Sequence, residues 1–190
     1  MRNQMQNIEI KTPIDSIEAI EILLLEIGVE KIWTRKQCDT FFEVARGWLK
    51  LREADDCQPE LISYVRSIND SGPRPSTYDL APLDDAEQWK RLLGRVLDSE
   101  CVVRKTRTLW IWKHTRIHVD VVESLGQFLE LETVIKDITT EEAEREAAQM
   151  IAHLQLDPER FISIPYREML RTEFRTPHSA FRIGFTRSTQ

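Results

Sequence analysis

Apolar and polar positions alternate along this chain in several short runs, most clearly between Arg116 and Glu132. Ile117, Val119 and Val121 alternate with Arg116, His118 and Asp120; beyond the Ser124-Leu125-Gly126 turn signal, Leu129 and Leu131 alternate with Phe128, Glu130 and Glu132. Successive side chains point to opposite faces of a strand, so the stretch predicts a hairpin with one aliphatic and one ionisable face. Asn7 to Lys11 repeats the pattern, with Ile8 and Ile10 against Asn7, Glu9 and Lys11. Trp48 to Arg52 sets Leu49 and Leu51 against Lys50 and Arg52. Extended chain is also expected from Glu30 to Val44, from Glu60 to Ile68 (where Tyr64 and Arg66 share a face), from Thr77 to Leu80 and from Glu100 to Lys113.

Helical periodicity interrupts the strands in four places. Asp15 with Glu18 predicts a capped helix striped by Ile17, Ile20, Leu24 and Ile27 and stopped at Gly28. Asp84 with Glu87 opens a second helix, with Leu92, Leu93 and Val96 as its core side. Thr139 with Glu142 makes a capping box for a third, striped by Ala143, Ala147, Ile151 and Leu154 and ending before Pro158. A shorter helix is expected from Tyr166 to Leu170, and Phe181, Ile183 and Phe185 suit a small strand. Asn69 to Pro75 is the clearest loop. No repeat or compositional break divides the chain. One domain over residues 1–190 is expected, with strands mainly in 5–134 and a helical region over 139–175.

Composition narrows the class. The 190 residues are 41% hydrophobic and 31% charged, which suits a globular chain rather than a disordered one. No apolar run approaches the ~20 residues a bilayer span requires. Met1 to Met5 shows no apolar signal region, and Cys38, Cys57 and Cys101 form no Cys-x-x-Cys pair, so a reducing cytoplasm is expected, without membrane or structural zinc. The net charge of −6 argues against general attraction to nucleic acid. Any anion site has to be local.

The faces opposite the aliphatic ones supply such a site. They carry Glu9, Lys11, Lys50, Arg52, Tyr64, Arg66, Arg116, His118, Asp120, Glu130 and Glu132, and Lys105 with Arg107 is the favoured pair from the basic stretch after Val103. Seven cations then oppose four carboxylates, a local excess of +3 inside a chain of −6. A polar-in, apolar-out alternation over many strands is what a barrel with a wet lumen requires, with amphipathic helices on its outside. A dry lumen is excluded, because unpartnered buried charges cost more than a domain's net stability. Arginine and lysine at converging positions suit phosphate oxygens. Glu9, Glu130 and Glu132 offer hard oxygen ligands suited to Mg²⁺ or Mn²⁺. Taken singly, each feature also reads as ordinary surface; Trp110 and Trp112, for instance, are more simply packing beneath a helix than a stacking platform.

These residues carry a family resemblance. Asn7-Ile8-Glu9-Ile10-Lys11 resembles the E-x-E-x-K strand that opens the CYTH superfamily, which includes class IV adenylate cyclases and thiamine triphosphatases. Asp39 to Phe42, Leu49 to Arg52, Tyr64 with Arg66, Arg104-Lys105 with Arg107, Arg116 to Asp120, and Phe128 to Glu132 resemble its later blocks in order, and the Tyr166 region resembles its C-terminal helix. The resemblance implies an α+β fold: an antiparallel eight-stranded β-barrel, a triphosphate tunnel, with helices packed on the outside. It implies that Lys11, Lys50, Arg52, Arg66, Lys105, Arg107 and Arg116 bind phosphates, and that Glu9, Glu130 and Glu132 hold Mg²⁺ or Mn²⁺, with Asp120 as an addition. Lys11, Glu9 and Asp120 become the candidate catalytic groups. One departure is Asn7, which stands where the motif usually has its first glutamate and brings no charge.

The implied activity is metal-dependent hydrolysis of inorganic tripolyphosphate or a small organic triphosphate. Alternatives are conversion of ATP to cyclic AMP and pyrophosphate, or binding of nucleotide or polyphosphate without turnover. Class IV cyclases often carry a His-Phe pair before the first strand, and Met1 to Gln6 contains none, which tilts the expectation towards hydrolysis. The partner expected is tripolyphosphate, ATP or thiamine triphosphate; an exposed strand or the third helix leaves room for a homodimer.

Overall fold

The period-two runs become one antiparallel sheet in the computed structural model, which describes residues 6–65 and 77–175. Its strands are β1 (Gln6–Pro13), β2 (Glu30–Phe42), β3 (Trp48–Ala54), β4 (Glu60–Val65), β5 (Thr77–Pro82), β6 (Ser99–Trp112), β7 (Thr115–Val122) and β8 (Gly126–Ile135). The helices are α1 (Ile17–Glu26), α2 (Ala86–Leu93), α3 (Thr140–His153) and α4 (Tyr166–Arg175), with a short 3₁₀ turn at Pro158–Arg160. The order across the sheet is β1-β8-β7-β6-β2-β3-β4-β5. Among the described residues no ladder joins β1 to β5, so hydrogen bonding leaves the tunnel open along that seam. Arg66 and the Phe181–Phe185 run lie outside the described residues.

Two hydrophobic layers hold the curved sheet. Outside, Ile20 and Leu24 of α1 and Met150 and Leu154 of α3 pack on Trp110, Ile117, Val119, Leu129 and Leu131. Each such fully buried aliphatic contributes about 1.5–3 kcal/mol. A second outer cluster joins Phe42, Leu51 and Leu83, with Ala86, Leu93 and Leu97 against it. Inside, Phe41, Val103, Val122 and Phe128 from four different strands, with Tyr64 beside them, surround Tyr166 and Leu170 of α4. The sheet therefore curls around the start of α4, which fills one end of the lumen.

The ends of the helices explain where local expectation and structure part. Ser16, not Asp15, caps α1, accepting from the Ala19 N–H at 3.2 Å, while Asp15 accepts from Arg160 at 2.9 and 3.0 Å. Asp85, not Asp84, caps α2 through the Gln88 N–H. Of the residues expected on its core side, Leu93 packs on the sheet, whereas Leu92 is exposed and Val96, beyond the end of α2, is 77% exposed. The Thr139–Glu142 capping box forms as expected. Gly126, at φ 102°, lets the β7–β8 hairpin close with Ser124 also at positive φ.

Candidate functional site

Register, rather than any single strand, builds the inner face. Glu9 stands opposite Glu132, and Lys11 opposite Glu130, across β1 and β8. Glu132 and Glu130 in turn oppose Arg116 and His118 on β7, and Asp120 opposes Arg107 on β6. Across β6 and β2, Leu109 opposes Trp33, Arg107 opposes Arg35, and Lys105 opposes Gln37. Asp39 opposes Arg52, Phe41 opposes Lys50, and Arg52 opposes Glu60 on β4. Directly opposed residues share a face. The inner rows therefore hold Lys11, Arg35, Lys50, Arg52, Lys105, Arg107 and Arg116 against Glu9, Glu30, Asp39, Glu60, Asp120, Glu130 and Glu132, seven cations to seven carboxylates. Among the described residues these rows are balanced, where the sequence alone suggests a positive excess.

Towards the α4 end the charges are paired. Asp120 is fully buried and accepts from Arg107 Nε at 2.7 Å, Lys105 Nζ at 3.3 Å and the Tyr166 hydroxyl at 3.0 Å. Glu130 binds Lys11 Nζ at 3.0 Å and also receives the Arg107 guanidinium, with His118 Nδ1 at 3.8 Å. Asp39 takes Lys50 Nζ at 2.8 Å and both Arg52 donors at 2.7 and 2.9 Å. Lys11 also lies 4.4 Å from the Tyr166 ring centroid, and Lys105 lies 5.2 Å from it.

Burial and neighbours set the protonation states. Burial pushes all three carboxyls up, but the adjacent cations outweigh it: Lys50 and Arg52 hold Asp39 well below the carboxylate range, Lys105 and Arg107 lower Asp120, and Arg107 lowers Glu130. Burial brings Lys50 down to about 8 against the pull of Asp39. His118 is lowered by burial and by Arg107, which keeps its imidazole neutral at pH 7. Tyr166 is raised by burial and by Glu130 and Asp120, so it stays a hydroxyl donor.

The far end of the lumen is arranged differently. Glu9 and Glu132 are like charges directly opposed; the other like-charge register pair, Arg35 with Arg107, lies further in, on the row of Asp120, where Arg107 is already held by Asp120 and Glu130. Such pairs destabilise a sheet unless a counterion sits between them. Glu132 accepts from the Asn7 amide at 2.7 Å and lies 3.5 Å from Arg116. Among the described residues no three His, Cys, Asp or Glu side chains converge as a metal cage. A pair of carboxylates at a lumen mouth is nonetheless a fitting arrangement for Mg²⁺ or Mn²⁺, since Mg²⁺ is typically held by one or two carboxylates plus substrate phosphate and water. Glu9 and Glu132 fit that group; Glu130, engaged by Lys11 and Arg107, fits it less well.

Of the residues singled out in the sequence, Glu9, Lys11, Lys50, Arg52, Lys105, Arg107, Arg116, Asp120, Glu130 and Glu132 all lie on the inner rows. Arg35, Gln37, Asp39 and Glu60 join them without having been expected as site residues. On β2 the alternate positions Lys36, Cys38 and Thr40 are polar or small too, so alternation gives no contrast there; only the register with Arg52 and Arg107 reveals the inner set. Gln37 is buried and its Oε1 has no hydrogen-bond partner. A hollow of about 510 Å³ bordered by Lys36, Cys38, Glu53, Arg104 and Glu123 lies on the outer face, although Gln37 and Lys105 also border it. Its charges are paired across the surface, Arg104 with Glu123, and it holds none of the opposed like charges.

The sequence matches the family model described as CYTH domain over residues 5–163. No curated protein sequence matches it. Among solved structures, it is similar to the PH1012 protein of Pyrococcus horikoshii OT3, with 22% identity, a TM-score of 0.73, and coverage of 85% of this chain and 98% of that one. It is also similar to a candidate adenylate cyclase from Vibrio parahaemolyticus (16% identity, TM-score 0.68, covering 87% and 98%). A third is HpAC1 from Hippeastrum, a candidate adenylyl cyclase with a dominant triphosphatase activity (16% identity, TM-score 0.63, covering 88% and 96%). At these identities the likeness speaks for the fold.

Proposed function

This chain belongs to the CYTH domain family, and on that premise we propose that it is a divalent-metal-dependent triphosphate hydrolase. The observation that carries the reading is the opposed acidic pair Glu9 and Glu132 at the open end of the lumen, with cations on the inner rows that continue inward from it, Arg116, Lys11, Arg107 and Arg35. The acidic pair would suit a divalent cation and the basic rows suit phosphoryl oxygens, so a triphosphate with its metal would engage both.

In this reading Glu9 and Glu132 hold Mg²⁺ or Mn²⁺, which supplies charge neutralisation at the phosphoryl oxygens. Lys11, Lys50, Arg52, Lys105, Arg107 and Arg116 orient the phosphate chain, Arg107 and Arg52 through forked donors and the lysines as point charges. Arg66, outside the described residues, is proposed for the same role. Asp120 acts as a positioning residue: with its oxygens held by Arg107, Lys105 and Tyr166, it fixes the direction of those donors. Arg116, 3.5 Å from Glu132, is the cation nearest the metal pair; Lys11, one inner position further along β1 than Glu9, is placed to stabilise charge developing on the transferred group.

A second reading, binding without turnover, draws on Asn7. Its amide occupies one oxygen of Glu132 and contributes no charge to the metal pair. The decisive experiment incubates the protein with tripolyphosphate or ATP and Mg²⁺ or Mn²⁺ and identifies the products. Free phosphate, lost in Glu132→Ala, supports hydrolysis; cyclic AMP with pyrophosphate supports the cyclase alternative. Tight binding with no product, gained as turnover by Asn7→Glu, supports the binding module.

A further inference from the structure

We propose that Trp33 is a specificity-determining residue, the platform on which an aromatic ring of the substrate stacks; this rests on the triphosphate reading above and narrows it from inorganic polyphosphate to a triphosphate ester of a ring-bearing alcohol. Trp33 lies on the inner row of β2, one inner position beyond Arg35 towards the open end. It stands directly opposite Leu109 on β6, and Leu109 opposes His118 on β7. The next inner position of β6, Ile111, is 39% exposed. An aromatic and aliphatic wall thus continues the row of phosphate-type donors outward from Arg35 and Arg107, at the end away from α4.

Inorganic polyphosphate has no use for such a wall. Beside Leu109 and Ile111, a half-buried indole keeps apolar surface in contact with solvent at some cost, next to a row of charged side chains that a purely phosphoryl ligand would need and without a contact that such a ligand could use. A ring-bearing leaving group turns that cost into affinity. The Arg35 guanidinium lies 4.7 Å from the Trp33 ring centroid, and Arg35 stands opposite Arg107 in the register. Phosphate drawn to Arg35 and Arg107 therefore places whatever it is esterified to beside the indole. Base–aromatic stacking is tolerant of ring identity, which is why the chemistry specifies a ring rather than a particular base.

The test measures calorimetric affinities for tripolyphosphate, ATP and thiamine triphosphate with Mn²⁺, in wild type, Trp33→Leu and Trp33→Phe. Leucine keeps apolar volume for folding but removes the stack. The expected result is that the ratio of ring-triphosphate to tripolyphosphate affinity falls about tenfold in Trp33→Leu and stays within about twofold of wild type in Trp33→Phe. The ring compound with the larger dependence identifies the ring type, neutral purine or cationic thiazolium. An unchanged ratio, or an equal loss for all three ligands, overturns the assignment while leaving the triphosphate reading in place. Failure of the wild type to bind any of the three overturns both.

Discussion

The two ends of the lumen are made from the same strands and the same residue types, yet they solve opposite problems. At the α4 end, Asp120, Glu130 and Asp39 each receive two or more cationic donors, and Tyr166 closes the network. At the open end, Glu9 faces Glu132, Arg116 stands across from Glu132, and Trp33 lies one row further in. Buried charges whose partners come from the chain stabilise the fold or leave it unharmed. Opposed like charges cost stability, and a cation arriving between two carboxylates offsets that cost. Charge by itself does not mark a binding site; charge left opposed to its own sign does.

The comparison breaks most visibly at the closed end. Asp120→Ala strands Arg107 and Lys105 in a buried setting, and removing one partner of such a group costs about 3–5 kcal/mol. Thermal denaturation should show a midpoint lower by roughly 10 °C in a chain of this size. A midpoint unchanged from wild type contradicts the view that this end is structural. The complementary variant at the open end is Glu9→Gln. Hydrolysis of tripolyphosphate should fall about 100-fold as one of two metal ligands is lost, while the melting midpoint holds or rises because the repulsion with Glu132 is gone. Steady-state rates measured beside a melting curve separate the two outcomes.

Arg35→Gln sharpens the comparison further. It removes the cation opposed to Arg107, so phosphate affinity should weaken about tenfold, the size of one charge-assisted contact, with stability equal to or above wild type. An unchanged phosphate affinity would count against a phosphate role for Arg35.

How much of this was legible in the sequence differs between the ends in the same way. Lys11, Glu130, His118 and Asp120 stand out because β1, β7 and β8 alternate ionisable with aliphatic residues, and the aliphatic set packs under α1 and α3. Asp39, Arg35 and Gln37 do not, because both faces of β2 are polar over that stretch and a bulge between Lys31 and Trp33 shifts the register. The insertion of Tyr166 depends on partners more than 40 positions away, such as Asp120, which no local period encodes. The fold was visible because resemblance and alternation agree. The balance of charge was not, since it is a property of pairing across strands.

The smallest predicted effect is a pH dependence. Burial holds Lys50 near a pKa of about 8, so its charge is lost as pH rises through that value. Phosphate favours the protonated form, and tripolyphosphate affinity should therefore decline from pH 7 to 9 relative to Lys50→Arg, whose guanidinium stays charged throughout. Titration calorimetry at three pH values gives the difference; parallel curves for the two proteins count against a phosphate role for Lys50.

The most direct test of the claim that opposed like charges mark the site is an anomalous difference map from crystals grown with Mn²⁺ and a non-hydrolysable tripolyphosphate analogue. The account predicts manganese between the carboxylates of Glu9 and Glu132, with phosphoryl oxygens reaching Arg35 and Arg107. Manganese elsewhere, or an analogue bound in the outer hollow beside Arg104, would contradict it.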